Sequence, residues 1–380
     1  MAKPYNPSKL IKGMSKGIKE LNSGFNDPTD WISTGNYTLN YLLSADFDKG
    51  VPMGKVTCFA GASGSGKSYI CSGNLVKAAQ DKGYFVILVD SENALDEKWL
   101  QDVGVDTDPS RLVKFSDDEI NKVTKLLANF FNEYKDTPEA DRPKILFVID
   151  SLGNLQSQAQ IDQFAKGELK GDFGHKAKAL KSMVIGSVNK IGNLNVGLVV
   201  TNHSYESQNM FDPDDKISGG QGFIYASSMV VAMGKNKLKE DEEGEKTKTV
   251  QGIKAVCKIM KTRYSKPFEE VKISIPYGTG MDPYSGLFEM LEDRDLAPRT
   301  GNSYIYTLLD GTELKYTKKK YKANADGVLD LVMKDIMARD SIIPASATTG
   351  ERDEHVELSD DELRELEGEI AEFNEEGNNE

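Results

Sequence analysis

The sequence predicts an α/β fold, with a mostly parallel central sheet flanked by helices, a small helical segment before it and a small region after it. Three observations carry this reading. Short apolar runs of strand length alternate with helical stretches between about residues 32 and 290. The runs are nearly continuous in Val, Ile and Leu, the pattern of strands buried on both faces. A glycine-rich turn joins the first long run to a helix, the junction expected at the carboxyl edge of such a sheet.

Taken in order, residues 8–22 read as a short basic amphipathic helix. Leu10, Ile11, Met14, Ile18 and Leu21 share one face, with Lys9, Lys12, Lys16 and Lys19 around them. Residues 22–31 read as a linker. Strands are expected at 56–60, 84–90, 144–150, 196–201, 228–233, 253–260 and 271–275. Helical patterns separate the first four, which requires crossovers and parallel pairing. The next runs are linked by KNKLKEDEEGEKTKT, which reads as a charged turn, so that end of the sheet is expected to be an antiparallel hairpin. The expected division is 1–31 (helix and linker), 32–299 (core), 300–348 (small C-terminal region) and 349–380 (acidic tail). In the tail, Ser359 to Glu362 form a capping-box pattern ahead of an apolar stripe at Leu363, Leu366, Ile370 and Phe373.

Composition narrows the function classes. The chain has 380 residues, 28% of them charged and 38% hydrophobic, which suits a large globular core with attachments. No apolar run approaches the roughly 20 residues of a spanning helix, and the start carries no secretory h-region. Cys58, Cys71 and Cys257 are far apart, which excludes a disulfide framework and fits a reducing cytoplasm, that of a bacterial host if a phage encodes the chain. The net charge of −13 is unevenly spread. Residues 351–380 hold 14 acids and two Arg, so the other 350 residues are near neutral and the total says little about what they bind.

The chemistry begins at Gly61-Ala62-Ser63-Gly64-Ser65-Gly66-Lys67-Ser68, a GxxxxGK[ST] string that follows an apolar strand and opens a helix. Its glycines let backbone N–H groups surround phosphate oxygens at a helix N-terminus, with Tyr69 next in line. Lys67 is placed to reach the β- and γ-phosphates of ATP, and Ser68 to ligate Mg2+. The strand KILFVID delivers Asp150, a Walker B pattern that holds the metal through water. The strand YFVILVD leads to Glu92, which at the same sheet edge would orient or deprotonate an attacking water. The bland alternatives are a glycine-rich turn, a turn-forming Asp and a solvated loop acid.

The segments ISTG (32–35), VPMGKVTCFAGASGSGKS (51–68), LVDSENALD (88–96), VIDSLGNL (148–155), TNHSYES (201–207) and KTRYSKPFEE (261–270), in this order and spacing, resemble the RecA-type recombinases. With GMDPYSGL (280–287) they are similar above all to the UvsX recombinases of T-even-like bacteriophages, over about residues 30–320. The resemblance implies a RecA-like ATPase core and assigns Glu92 as catalytic glutamate and Asp150 as Walker B acid. It puts Asp96 and Trp99 at adenine, and Asn202-His203 where the γ-phosphate is sensed. It makes Lys261 and Arg263 cations that reach a neighbouring subunit's γ-phosphate.

Two irregular stretches, 164–178 and 204–222, match the family's DNA-facing loops in position. The implied DNA contacts are Lys166, Lys170, His175 and Lys176 in the first, and Met210, Phe211, Gly219 and Gly220 in the second. KYTKKKYK (315–322) is a further basic patch, for DNA or for the acidic tail, or simply solvated. The implied activity is ATP- and Mg2+-dependent filament formation on single-stranded DNA, with pairing and strand exchange against homologous duplex in recombination, repair and replication. Single-strand-binding and mediator proteins are the expected partners, with no membrane. The alternatives are a RecA-core ring helicase, for which residues 1–30 are short as an added domain, a non-recombining ATP-dependent assembly switch, and a P-loop small-molecule kinase.

Overall fold

The computed structural model describes Met14 and residues 27–168, 174–205, 216–217, 221–240 and 247–342. The expected helix at 8–22, apart from Met14, and the acidic tail lie outside the described residues. The chain divides into two compact units, Met1–Met333 and Lys334–Glu380. Of the second, the described part is helical to Ile342, with Arg339 paired to Asp335 one turn earlier.

The first unit begins with β1 (Trp31–Ile32), α1 (Tyr37–Ser44) and β2 (Val51–Pro52). Then comes β3 (Val56–Gly61), followed by a π-helical turn (Tyr69–Asn74) that runs into α2 (Leu75–Asp81). Next are β4 (Phe85–Asp90), α3 (Glu97–Asp102), β5 (Leu112–Phe115), α4 (Ile120–Asp136) and β6 (Ile145–Asp150). After them come α5 (Gln158–Ala165), α6 (His175–Leu194), β7 (Gly197–Asn202), β8 (Ser204–Tyr205), β9 (Lys216–Ile217) and α7 (Gln221–Ala226). The sheet closes with β10 (Met229–Leu238), β11 (Gly252–Lys261) and β12 (Glu270–Pro276).

Eight strands form one sheet in the order β12-β11-β10-β3-β7-β6-β4-β5. From β10 to β5 every pairing is parallel, and β10-β11-β12 are antiparallel, so the expected architecture holds. All the expected long strands form. Two departures matter. Leu112–Phe115 is an edge strand not anticipated, because four residues with a Lys among them carry little apolar signal. And β10 does not stop at Met233 but continues to Leu238, so Lys235 and Lys237 are strand residues, not part of a charged turn.

Alternation along the strands builds the core. Val56, Cys58 and Ala60 of β3, Ile145, Phe147 and Ile149 of β6, and Leu198 and Val200 of β7 face one side. There they meet Ile120, Val123, Leu127 and Phe131 of α4 and Leu180, Met183, Val184 and Ile191 of α6, each set at helical spacing. The opposite face is buried as well, at Phe59, Leu88, Val148 and Val199. All three cysteines are free and buried, and burial pushes the Cys257 thiol up to about 12.

Two of the sequence phrases fasten to each other. Asn36 caps α1 by accepting from the Leu39 N–H at 2.9 Å. Its amide donates to the Asp282 and Ser285 carbonyls, at 3.2 and 2.9 Å. Asn36 directly follows ISTG, so this joint ties the end of that phrase to GMDPYSGL.

Beyond the sheet lie α8 (Leu287–Asp293), a three-stranded sheet of β13 (Arg299–Thr300), β14 (Ser303–Thr307) and β15 (Glu313–Tyr316), and a one-turn α9 (Lys318–Lys322). The lysine patch is therefore strand end and helix. Lys318 and Lys322 pair with Glu292 and Glu289 of α8, at 2.6 and 2.5 Å, and Tyr321 is fully buried. Part of the expected basic, tyrosine-bearing surface is internal neutralisation and core.

Candidate active site

The carboxyl ends of β3, β4, β6 and β7 bring the predicted phosphate-site residues to one edge. The Gly61–Ser68 loop leaves β3 there. Gly66 sits at φ +94, a left-handed conformation that glycine adopts without steric cost, and its carbonyl accepts the Ile70 N–H at 3.0 Å as the helix begins. The Lys67 ammonium folds back onto the Gly61 and Ala62 carbonyls, each at 2.9 Å. Burial lowers its pKa, an effect opposed by the Asp150 and Glu92 carboxylates. The Ser65 hydroxyl is buried in the loop with no protein partner, a polar atom that a phosphate oxygen would satisfy.

Asp150 is buried at the end of β6, with both carboxylate oxygens in use. Ser72, on the π-helical turn, donates to one at 2.8 Å, and Thr201, near the end of β7, donates to the other. Neither hydroxyl was singled out in the sequence. Ser72 follows Ser68 by four residues, one helical turn on the same face, which is a signal available in the sequence.

Glu92 emerges just past β4. Ser151 Oγ donates to Glu92 Oε1 at 2.8 Å, and His203 Nε2 lies 3.3 Å from the same oxygen. The Glu92 backbone is set by Asp90, whose buried carboxylate accepts from the N–H groups of Glu92 at 3.2 Å, Ala94 at 3.3 Å and Leu95 at 3.0 Å. Lys114 neutralises Asp90 at 2.8 Å. His203 is packed against Gly153, where an added Cβ would lie 2.4 Å from its ring. Only glycine permits that approach.

A cleft of about 660 Å3 includes Lys67, Ser68, Tyr69, Glu92, Asp150 and His203 in its lining. This volume is within the usual range for small-molecule sites. Tyr69 also braces the cleft, its hydroxyl accepting from the Met281 N–H at 3.2 Å. Seven lining residues escaped the sequence reading, among them Lys235 and Lys237 from β10, Ile253 of β11, and Tyr277, whose ring is exposed.

Other predicted residues are not gathered there. Asp96 caps α3, its carboxylate accepting from the Trp99 N–H at 2.7 Å, and lines a separate hollow with Leu95 and Lys114. Trp99 is half-buried, with its ring near Gly73. Neither residue lines the cleft that holds Lys67 and Glu92.

Lys261 ends β11 beside Val230, whereas Gly61 lies beside Met233. That puts Lys261 about 10 Å down the sheet and two strands across from its own phosphate loop. Its ammonium donates to the Ile224 and Tyr225 carbonyls at 3.1 and 2.9 Å, and burial, then Arg263, lowers its pKa. Arg263 is exposed just beyond.

The first stretch expected to face DNA, 164–178, is partly helical. Phe164 lies in α5, Lys166 follows it as the C-cap, and His175 and Lys176 lie in the first turn of α6. Lys176 donates to the Gly153 carbonyl at 2.6 Å, so this cation braces the His203 pocket. Lys170, Met210, Phe211, Gly219 and Gly220 lie outside the described residues. Among the described residues, no cluster of three or more His, Cys, Asp or Glu side chains would hold a metal ion on its own. No described helix is long and apolar enough to cross a membrane.

The RecA N-terminal domain family matches residues 10–282. The chain is 28% identical to the recombination and repair protein of Enterobacteria phage T4 over 288 residues, which are 74% of this chain and 69% of that protein. It is 27% identical to the RecA protein of Phytoplasma mali over 299 residues, 78% of this chain and 82% of that one. The RecA protein of Streptococcus gordonii is 25% identical over 371 residues, covering 92% and 89% of the two chains.

Proposed function

The chain belongs to the RecA family and is a RecA-like recombinase, and from that premise we propose that it forms filaments on single-stranded DNA, hydrolyses ATP there and exchanges strands with a homologous duplex. The observation that carries the ATPase reading is the convergence of Lys67, Asp150, Glu92 and His203 on one cleft beside a buried, unpartnered Ser65 hydroxyl. A ring helicase shares the phosphate site, but the relatives' names favour recombination.

In this reading the Gly61–Ser68 loop and Lys67 hold the triphosphate. Ser68 and Asp150 would hold Mg2+. They are too few to bind it alone, so the ion would arrive with the phosphates, whose developing charge it neutralises. Glu92, anchored by Asp90 and contacted by Ser151 and His203, positions the water or takes its proton. His203 touches both Glu92 and the Gly153 turn, and Lys176 ties that turn to α6, which follows the first DNA loop. A change at the terminal phosphate therefore has a contiguous route to the DNA side. Base pairing itself reads homology, and the protein presents the strand.

The test is ATP turnover with and without single-stranded DNA, paired with electron microscopy. Stimulated turnover and open helical filaments are expected, whereas closed rings or DNA-indifferent turnover would count against the proposal. Lys67→Ala should abolish hydrolysis and ATP-dependent DNA binding. Glu92→Ala should keep ATP-dependent assembly while turnover falls by about 10²–10⁴-fold. Normal hydrolysis by Glu92→Ala would remove it from the water-positioning role.

A further inference from the structure

We propose that Lys235 is a second phosphate-binding cation of the nucleotide site, contributed by the same chain and directed at the terminal phosphate. The inference rests on the reading that Gly61–Ser68 binds a nucleoside triphosphate.

β10 runs parallel to β3, with Met233 in register with Gly61 where β3 ends. β10 then continues past the sheet edge while β3 turns into the phosphate loop. Lys235 is the second residue beyond that register, and its side chain crosses to the loop. Its ammonium donates to the Ser63 carbonyl and lies 3.1 Å from where a Cβ on Gly64 would stand. Lys67 holds the two preceding carbonyls, Gly61 and Ala62. Two ammonium groups thus occupy three successive carbonyls of one phosphate-binding loop. They are close enough that Lys235 contributes to lowering the Lys67 pKa.

Placing two cations this close on neutral carbonyls is unfavourable unless an anion joins them. The described residues supply none for Lys235: none of their carboxylates lies within ion-pair distance of it. A triphosphate does. The loop amides nearest the helix start cradle the inner phosphates. Ser63 and Gly64 precede those amides, on the side of the loop that Lys235 reaches, and in the proposal the outermost phosphate lies there. Lys237, two residues on and so on the same face of the strand, lines the cleft behind it. The substrate class is a nucleoside triphosphate in preference to a diphosphate. Lys235 is a ligand that makes the site sense the difference.

The experiment measures affinity, without turnover, for ADP and for a β,γ-imido ATP analogue. It compares the full chain with Lys235→Met, Lys235→Arg and Lys67→Ala. Lys235→Met should weaken the imido analogue about tenfold or more, the scale of one lost charge-assisted hydrogen bond, and ADP less than about twofold. Lys235→Arg should restore the preference. The ratio of the two affinities does not depend on the fraction of folded protein. An unchanged ratio in Lys235→Met, whether both ligands bind as before or both weaken alike, would overturn the proposal and leave Lys235 as a brace for Ser63. Lys67→Ala separates the two levels. If it binds both ligands as the parent chain does, the phosphate-site reading fails and the proposal falls with it. If it loses both while Lys235→Met keeps the parent ratio, only the role of Lys235 is wrong.

Discussion

Single residues decide whether Glu92, the carboxylate proposed to act in hydrolysis, is in place. Glu92 is half in solvent, and its position depends on Asp90 holding its backbone and on Ser151 and His203 meeting one carboxylate oxygen. His203 in turn keeps its place only because residue 153 has no side chain, since a Cβ there would lie 2.4 Å from the ring and 3.1 Å from Asn202 Oδ1. Gly153→Ala must therefore move the imidazole away from Glu92 and Ser151. We expect turnover to fall by about 10–100-fold, as for partial loss of a positioned acid–base group, with nucleotide affinity nearly unchanged. Steady-state kinetics beside direct binding measurements check this. Equal losses in both would mean the turn supports the fold and not the carboxylate. Glu92 and Asp150 were legible in the sequence because each follows an apolar strand. Asp90, Ser72 and Thr201 were legible as residues but not as anchors. Ser72 and Thr201 meet Asp150 on another element, Ser72 from 78 residues away, while Asp90 anchors the loop that directly follows it, which no spacing pattern marks.

At the scale of elements, the sheet was readable wherever a strand is apolar on both faces or alternates cleanly, as the edge strand β12 does, and unreadable where it is short or runs into a charged stretch. β5 and the outer half of β10 were missed for that reason, and Lys235 and Lys237 with them. The segment before β1 read only as a linker, yet its end is tied firmly. Asp30 accepts from the Trp31 N–H at 2.8 Å and from Tyr84 Oη at 2.9 Å, and meets Lys144 and Lys82 at 3.2 and 3.3 Å. Partial burial alone would raise its pKa, but these four donors bring it down to about 2 from 3.8. A depressed carboxylate stabilises the fold above its unfolded pKa, and the contribution disappears as pH falls toward the folded value. Asp30→Asn should therefore cost about 1–2 kcal/mol at pH 7, discounted because the side chain is 24% exposed, and the gap should close between about pH 4 and 2. Urea denaturation of both proteins across that range tests it. A difference independent of pH would mean that shape, not charge, holds this segment.

At the scale of the whole molecule, the acidity belongs to the C-terminal 30 residues, so the near-neutral remainder is free to use local clusters of cations. Those clusters fall at two ends of one sheet. Lys67 and Lys235 stand at the phosphate edge, while Lys261 and Arg263 stand beyond the opposite end of β11, out of reach of the chain's own phosphates. A sheet with the proposed nucleotide site at one end and a partly desolvated Lys261 at the other suits head-to-tail association, in which the cations of one subunit complete the site of the next. Lys261→Ala should then leave folding and monomeric nucleotide binding intact but remove DNA-stimulated turnover. Lys67→Ala should be inactive for the complementary reason. Mixing the two inactive proteins in equal amounts before adding DNA should restore activity. An interface works only where a Lys261→Ala subunit supplies the phosphate loop and a Lys67→Ala subunit supplies the cation, so random assembly should give about a quarter of parental turnover. Turnover across mixing ratios should peak near equality. A flat, inactive profile would mean that Lys261 acts on its own chain through the Ile224 and Tyr225 carbonyls it now holds, stabilising α7 and not a neighbour's phosphate.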